Sequence, residues 1–227
     1  WQRQWRPRTV QQCLEAACPA MTRTHLHVPG AGRTDAGVHA DGQVASVEVA
    51  SRIPALGFMR GLNTHLPRDI AVLDVADVPT GFNARHSARG KIYRYRIWNH
   101  PIRSPRQARQ AWHVFAPLDV QAMRAAAEIL TGEHDFRAFR AADCERKTTV
   151  RLLRRFDVYR EGALITCEVE GTAFLKNMVR ILVGTLVAVG HGKMTIDHVR
   201  TLLTSGDRTQ AGMTAPAQGL TLATVIY

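Results

Sequence analysis

Residues 91–98, Lys91-Ile92-Tyr93-Arg94-Tyr95-Arg96-Ile97-Trp98, alternate strictly. Tyr93, Tyr95 and Ile97 fall on one face and Arg94, Arg96 and Trp98 on the other, the two-residue period of a half-buried strand. Toward the C-terminus, Asp119 reads as the cap of a helix running to Leu130, and two further strand patterns cover about 149–159 and 163–170. A long helix is predicted over 173–189, a shorter one over 195–204 and a final strand over 219–227. Toward the N-terminus, Thr9-Val10-Gln11-Gln12 has the form of a capping box that opens a helix through Cys18. His25–Val28, Gln43–Val49 and Ile70–Val78 read as strands, and Pro54 opens a helix carrying Leu56, Met59 and Leu62. Strands and helices mixed in this way, with several hairpin-length gaps, place the chain in the α+β class. Residues 99–111 hold two prolines and three arginines, so the domains are read as 1–105 and 106–227.

The charge is lopsided. Thirty Lys and Arg face nineteen Asp and Glu, a formal net charge of +11. Residues 1–110 carry 16 basic and 7 acidic side chains, and eight basic residues with no acid lie between Arg85 and Arg109. Only Lys91, Lys147, Lys176 and Lys193 are lysines. A GC-rich genome would explain Arg in place of Lys, but not the surplus of cations. Arginine forks pair phosphate at two points and stack on bases, so a nucleic-acid partner is expected.

Cys13, Cys18, Cys144 and Cys167 form no Cys-x-x-Cys and stand at no paired histidine spacing. Reduced thiols in a cytoplasmic protein are expected, with neither a zinc site nor a disulfide framework. The longest apolar run, Ile181 to Gly190, is half the length that crosses a bilayer, so no membrane partner is expected. Arg3, Arg6 and Arg8 precede Thr9-Val10-Gln11-Gln12 rather than an apolar stretch, which argues against a secretory signal.

Gly30, Gly32, Gly37 and Gly42 punctuate a loop between two strand patterns, and such a loop lets a bulky ligand approach the backbone. It is no phosphate cradle: Gly-x-x-x-x-Gly-Lys is absent, and Asp35 stands where a dinucleotide loop needs its third glycine. The loop presents one carboxylate, Asp35, between Arg33 and His39. Asp35 either closes a turn on its own backbone or carries chemistry. Tyr93 lies on the apolar face of its strand, as a core tyrosine does. On the long helix, Lys176, Asn177, Arg180 and Gly184 make a narrow polar strip, so Arg180 faces solvent there or meets an acidic or phosphate partner. His39, His134 and Asp135 read as turn and packing residues, since nothing else stands at ligand spacing.

The block Gly32-Arg33-Thr34-Asp35-Ala36-Gly37-Val38-His39-Ala40 resembles the signature of the TruA family of pseudouridine synthases. Trp1-Gln2-Arg3-Gln4, Gly61-Leu62-Asn63, Leu66-Pro67-Arg68-Asp69-Ile70, Ala84-Arg85 and Tyr93-Arg94-Tyr95 resemble further blocks of that family, in its order. So do Gly132-Glu133-His134-Asp135-Phe136, Phe174-Leu175-Lys176-Asn177-Met178-Val179-Arg180 and Ala215-Pro216-Ala217-Gln218-Gly219-Leu220. Asn83 departs from the family's usual His, and His86 from its usual Phe. The family also has a strand and a glycine-containing turn before Trp1 and a tail after Tyr227, so the chain reads as a fragment.

The resemblance implies a pseudouridine synthase fold: a mixed, mostly antiparallel central sheet flanked by helices, in two similar halves with a cleft between them. It implies isomerisation of uridine to pseudouridine at positions 38, 39 and 40 of the tRNA anticodon arm, without metal or small-molecule cofactor, by a homodimer. Asp35 would be the nucleophile, Arg180 its salt-bridge partner, and Tyr93 would stack on the target base. Arg33, Arg85 and Leu220 would bind substrate beside them. Two other readings remain open: a catalytically silent RNA-binding protein on the same fold, and a nucleoside glycosidase. The latter chemistry usually wants two carboxylates flanking the bond, with only Asp41 near Asp35 in the loop.

If the basic run contacts phosphates, RNA binding must release counterions. A plot of log affinity against log salt should have a slope of about −3 or steeper, as four or more contacts require. A nearly flat plot from fluorescence anisotropy removes the basic-surface argument.

Overall fold

A computed structural model describes residues 1–50 and 53–227. The chain divides into two units: Trp1–Ala36, Gln43–Ala88 and Tyr227 form the first, Gly37–Gly42 and Arg89–Ile226 the second. Residues 99–111 lie within the second unit.

In the first unit, α1 (Val10–Ala17) starts where the capping residue predicts, with Thr9 Oγ1 accepting from Gln12 N at 3.3 Å. A short α2 (Pro19–Thr22) follows, and α3 (Ala55–His65) begins after Pro54. Leu14, Ala17 and Cys18 pack with Val28, Phe58 and Leu62 into a small core. None of the three stretches read as strands forms a paired strand here. Gln43–Val49 does keep its alternation, since Ala45, Val47 and Val49 pack against that core. What it lacks is a ladder, the row of neighbouring backbone groups that makes an extended segment a strand. Among the described residues its pairing is a single bridge, Gly30 to Ala45. Val72, within Ile70–Val78, bonds instead to the Asn63 side chain, through N and O at 2.8 Å each.

The second unit holds the sheet. Its strands are β1 (His39–Ala40), β2 (Gly90–Asn99), β3 (Trp112–Val114), β4 (Gly132–Asp135), β5 (Val150–Glu161), β6 (Leu164–Gly171) and β7 (Leu220–Ile226). They lie in the order β1-β7-β2-β6-β5-β4, with β3 also on β2. The pairs β1–β7 and β2–β3 are parallel and the remaining pairs antiparallel. The fold is thus α+β with a mostly antiparallel sheet, as expected. The alternating stretch is the middle of β2, and its apolar face is the buried one: Tyr95 and Ile97 are fully buried and Tyr93 nearly so. On the other face Arg94 stands opposite Glu168 and ion-pairs with it at 3.1 Å. Asp157 also stands opposite Glu168, and Arg155 pairs with both carboxylates, which offsets their repulsion.

Three helices complete this unit: α4 (Val120–Leu130), α5 (Met178–Gly190) and α6 (Ile196–Ser205). Asp119 caps α4, its Oδ1 accepting from Gln121 N and Ala122 N. The long helix starts at Met178, not near 173. Asn177 has φ +61°, a left-handed conformation that Asn tolerates and a helix interior does not, so residues 173–177 stay outside it. From Met178 on, nearly every side chain of α5 is buried.

Close backbone contact holds α5 to the loop before β7. Thr185 Oγ1 donates to Ile181 O and accepts from Gly212 N, both at 2.9 Å. A Cβ on Gly184 would collide with the Met213 carbonyl oxygen. Backbone cannot swing aside as a flexible side chain can, so Gly184→Ala should cost about 1–3 kcal/mol through overpacking. Urea unfolding monitored by circular dichroism reads that loss as a lower midpoint with unchanged slope.

Candidate active site

The Gly-rich loop is anchored in each unit separately. In the first, Ala31 N donates to Val44 O and Gln43 Nε2 to Gly32 O, both at 2.7 Å, and Trp1 N donates to Thr34 O at 2.9 Å. These bonds fix residues 31–34 and leave Asp35 exposed at their end. Burial holds the Trp1 ammonium below its ordinary range, and the Asp35 carboxylate works against that drop. In the second unit His39 and Ala40 pair in parallel with Thr221 and Leu222. Asp41 N and Gly42 N both donate to Leu222 O, at 2.9 and 3.3 Å. The register of β7 on β2 slips beside this point, between Ile92 and Tyr93. There the backbone at Ala223 approaches Gly42 so closely that a Cβ on residue 42 would overlap it. That approach is what the last glycine of the loop is for.

Three of the expected site residues, Tyr93, Leu220 and Arg180, belong to the second unit. Tyr93 and Leu220 are on neighbouring strands and nearly buried, Leu220 lying opposite Tyr95. The Tyr93 ring meets Phe174 edge-on, with centroids 5.0 Å apart. Arg180 is half-buried on α5 and tied to the chain segment that leads into β7. Its Nε donates to Ala215 O at 2.7 Å, Ala215 N returns a bond to Arg180 O at 3.1 Å, and Nη1 donates to Asn177 Oδ1 at 3.1 Å. The planar fork is therefore oriented by fixed acceptors, which a solvated strip would not do.

Sequence reasoning overlooked Tyr95. Its hydroxyl donates to Pro216 O at 2.7 Å. Burial pushes the phenol far above its ordinary range, against the opposing pull of the Arg180 guanidinium, so it remains a donor. The visible hint was Gly219, where a Cβ would overlap the Tyr95 ring. Phe174 was assigned to the helix and instead flanks Tyr93.

Arg33, Asp35 and Arg85 belong to the first unit and are exposed. Arg85 N and His86 N both donate to Asn83 Oδ1 at 3.0 Å, so the Asn that replaces the family's usual His builds the turn presenting Arg85. The basic run is less free of acid than its sequence, because Arg94 pairs with Glu168 and reaches Asp41 at 3.9 Å. His39 Nε2 meets Arg109 O at 2.7 Å, His134 Nε2 meets Thr131 O at 3.0 Å, and Asp135 Oδ1 accepts from Arg137 N. Turn and packing roles for these three fit the geometry. All four cysteines are free thiols, Cys18 and Cys167 buried, and burial raises the Cys167 thiol to about 12. Among the described residues no group of His, Cys, Asp and Glu could hold a metal ion, and no helix is long and apolar enough to cross a membrane.

A family model described as tRNA pseudouridine synthase matches residues 1–87 and 126–227. The chain is 48% identical over 228 residues to a tRNA pseudouridine synthase A of Citrifermentans bemidjiense, covering 100% of this chain and 91% of the relative. It is 47% identical over 227 residues to one of Geotalea uraniireducens, covering 100% of this chain and 93% of the relative. A tRNA pseudouridine synthase A of Myxococcus xanthus is 48% identical over 228 residues, covering 100% of this chain and 86% of the relative.

Arg180→Ala removes the Nε and Nη1 donors and leaves the Ala215 carbonyl unpaired. It should cost about 1.5–3 kcal/mol of stability, the range for bonds to a charged group. Arg180→Lys keeps the charge but cannot donate from the Nε position, so it should recover only part of that loss in the same urea titration.

Proposed function

The chain belongs to the tRNA pseudouridine synthase family, whose members convert uridine to pseudouridine, and we propose that it does so in the anticodon arm of tRNA, at positions 38, 39 and 40, with Asp35 as the nucleophile. The reaction breaks the N1–C1′ bond and forms a C5–C1′ bond; C5 gives up a proton and N1 gains one. No electron pair leaves the nucleoside, so the isomerisation needs no redox partner and no energy source. It needs an ionised carboxylate placed at the target nucleotide, acting on the base or the ribose.

The observation that carries this reading is the Gly32–Ala40 block itself. It presents an exposed Asp35 on a loop whose flanks are pinned by backbone bonds, within a chain matched to the family along nearly its whole length. In this reading Arg180 pairs with Asp35, and Arg33 with Arg180 orients the carboxylate at the target nucleotide. The target uridine leaves its stack to reach Asp35, with Tyr93 stacking on the base and Leu220 packing beside it. Residues 1–105 carry the catalytic loop and the basic surface with Arg85, and residues 106–227 complete the cleft between two similar halves. The working form is a cytoplasmic homodimer that holds one tRNA across both subunits.

Asp35→Asn replaces the carboxylate by a neutral amide of the same size. It should abolish pseudouridine formation in unmodified tRNA, mapped by carbodiimide modification, while tRNA affinity stays within about threefold of the unmodified protein. Appreciable turnover by the variant removes Asp35 from the mechanism. Free uracil from the unmodified protein indicates a glycosidase instead, and binding without product a silent RNA-binding protein.

A further inference from the structure

Tyr95 stands in the middle of β2 and is fully buried. Its place on the apolar face asks only for a large apolar side chain, which phenylalanine would supply. The hydroxyl is an addition that must find an acceptor, since a buried polar group without one is costly. It finds Pro216 O at 2.7 Å. The ring is held for that contact. Trp112 meets it edge-on with centroids 6.5 Å apart, and Gly219 leaves room for its hydroxyl end, where a Cβ would lie 2.5 Å from Tyr95 Cζ.

The choice of acceptor gives the hydroxyl its reach. Arg180 on α5 holds Ala215 O through a bond from Nε, and Tyr95 on β2 holds the next carbonyl along the chain. A single bond lets a peptide rock about it, whereas successive carbonyls held from a helix and a strand fix the peptide between them. Pro216, whose ring restricts φ, then leads into one turn of 3-10 helix at Ala217–Gly219, closed by Leu220 N donating to Ala217 O.

That turn stands beside the second-unit end of the catalytic loop. Gly37 has φ +81°, a conformation suited to glycine, and it turns the chain toward β1. A Cβ on Gly37 would lie 3.4 Å from Ala217 Cβ, the nearest atom to it outside its chain neighbours among the described residues. The backbone at Gly37 therefore passes beside Ala217, the residue after the carbonyl that Tyr95 holds. Asp35 precedes Gly37 by a single intervening residue, Ala36.

We propose that Tyr95 is a positioning residue for the reaction: its hydroxyl holds Pro216, and through Ala217 that hold places the backbone at Gly37 from which the Asp35 loop is supported. The proposal rests on the reading of Asp35 as the nucleophile. It assigns to Tyr95 no contact with the substrate.

Tyr95→Phe removes the hydroxyl and keeps the ring. With unmodified tRNA as substrate its kcat should fall about tenfold while KM stays within about twofold, since misplacing a reacting group by about 1 Å can cost about 10²-fold and a slackened support moves it less. Ala217→Gly leaves the Tyr95 bond in place and removes the methyl beside Gly37. Its kcat should fall too, again without a rise in KM, which keeps the test open if Tyr95→Phe does not fold. The double variant should be no slower than the slower single one, because both changes break one path. Amide hydrogen exchange at Asp41 and Gly42, which donate to Leu222 O, should quicken several-fold in Tyr95→Phe while exchange in α4 stays unchanged. Unchanged kcat in the folded variants, a rise in KM alone, or losses that multiply in the double variant overturns the proposal. Absence of pseudouridine formation by the unmodified protein would sink the proposed activity instead. Exchange would then decide the role of Tyr95, and unaltered protection at Asp41 and Gly42 would overturn it.

Discussion

Arg180 and Ala215 exchange hydrogen bonds, the guanidinium reaching the Ala215 carbonyl while the Ala215 amide reaches back to the carbonyl of Arg180. Around this exchange the C-terminal segment is laid along α5 and brought to the sheet. Thr185 receives Gly212, the backbone at Met213 rests on Gly184, and Pro216 accepts the Tyr95 hydroxyl. Each contact involves main chain, which explains why small residues and buried donors recur along the path. Once the segment is seated, Leu220 enters β7 opposite Tyr95, and β7 in turn supplies the partner of β1. A single cation on an otherwise apolar helix thereby aligns the strand on which the continuation of the Asp35 loop is hung.

Much of the second unit was legible because its elements obey local rules. The alternation at residues 91–98 named both faces of β2, and the cap at Asp119 named the start of α4. The start of α5 was not legible, because an apolar period running from Phe174 does not reveal that Asn177 turns left-handed. β1, β3 and β4 escaped notice for another reason. They are two, three and four residues long, too short to show a period, and each becomes a strand only through its partner: β7 for β1, β2 for β3 and β5 for β4. The first unit erred in the opposite direction: its patterns were real as packing, as Ala45, Val47 and Val49 demonstrate, but periodicity does not provide a neighbour to pair with.

Legibility of the site divides along the same line. The glycines around Asp35 marked a loop open to close approach but left the carboxylate either a turn residue or a reactive group, and only the resemblance of the Gly32–Ala40 block chose between them. Tyr95 hid behind its own strand pattern, because a buried tyrosine and a buried phenylalanine alternate alike until the acceptor of the hydroxyl is known. The charge argument was right in sign and coarse in detail. Arg94 belongs to the surplus on paper, yet in space it neutralises Glu168, so part of the basic run stabilises the sheet. The pair is half-buried, and every arginine bound in this way leaves one cation fewer for an RNA backbone.

The parallel pairing of β1 with β7 joins His39 to Thr221 and Ala40 to Leu222. The partners stand far apart in the chain, so β1 leaves the ribosome well before the strand it pairs with. Until then the loop bearing Asp35 has its anchors in the first unit but lacks the backbone pairing with β7. Contacts of such long sequence separation are also the slow ones in folding, since most of the chain must be ordered before they close. A nascent chain that has not reached β7 therefore carries the Asp35 loop without its pairing in the sheet.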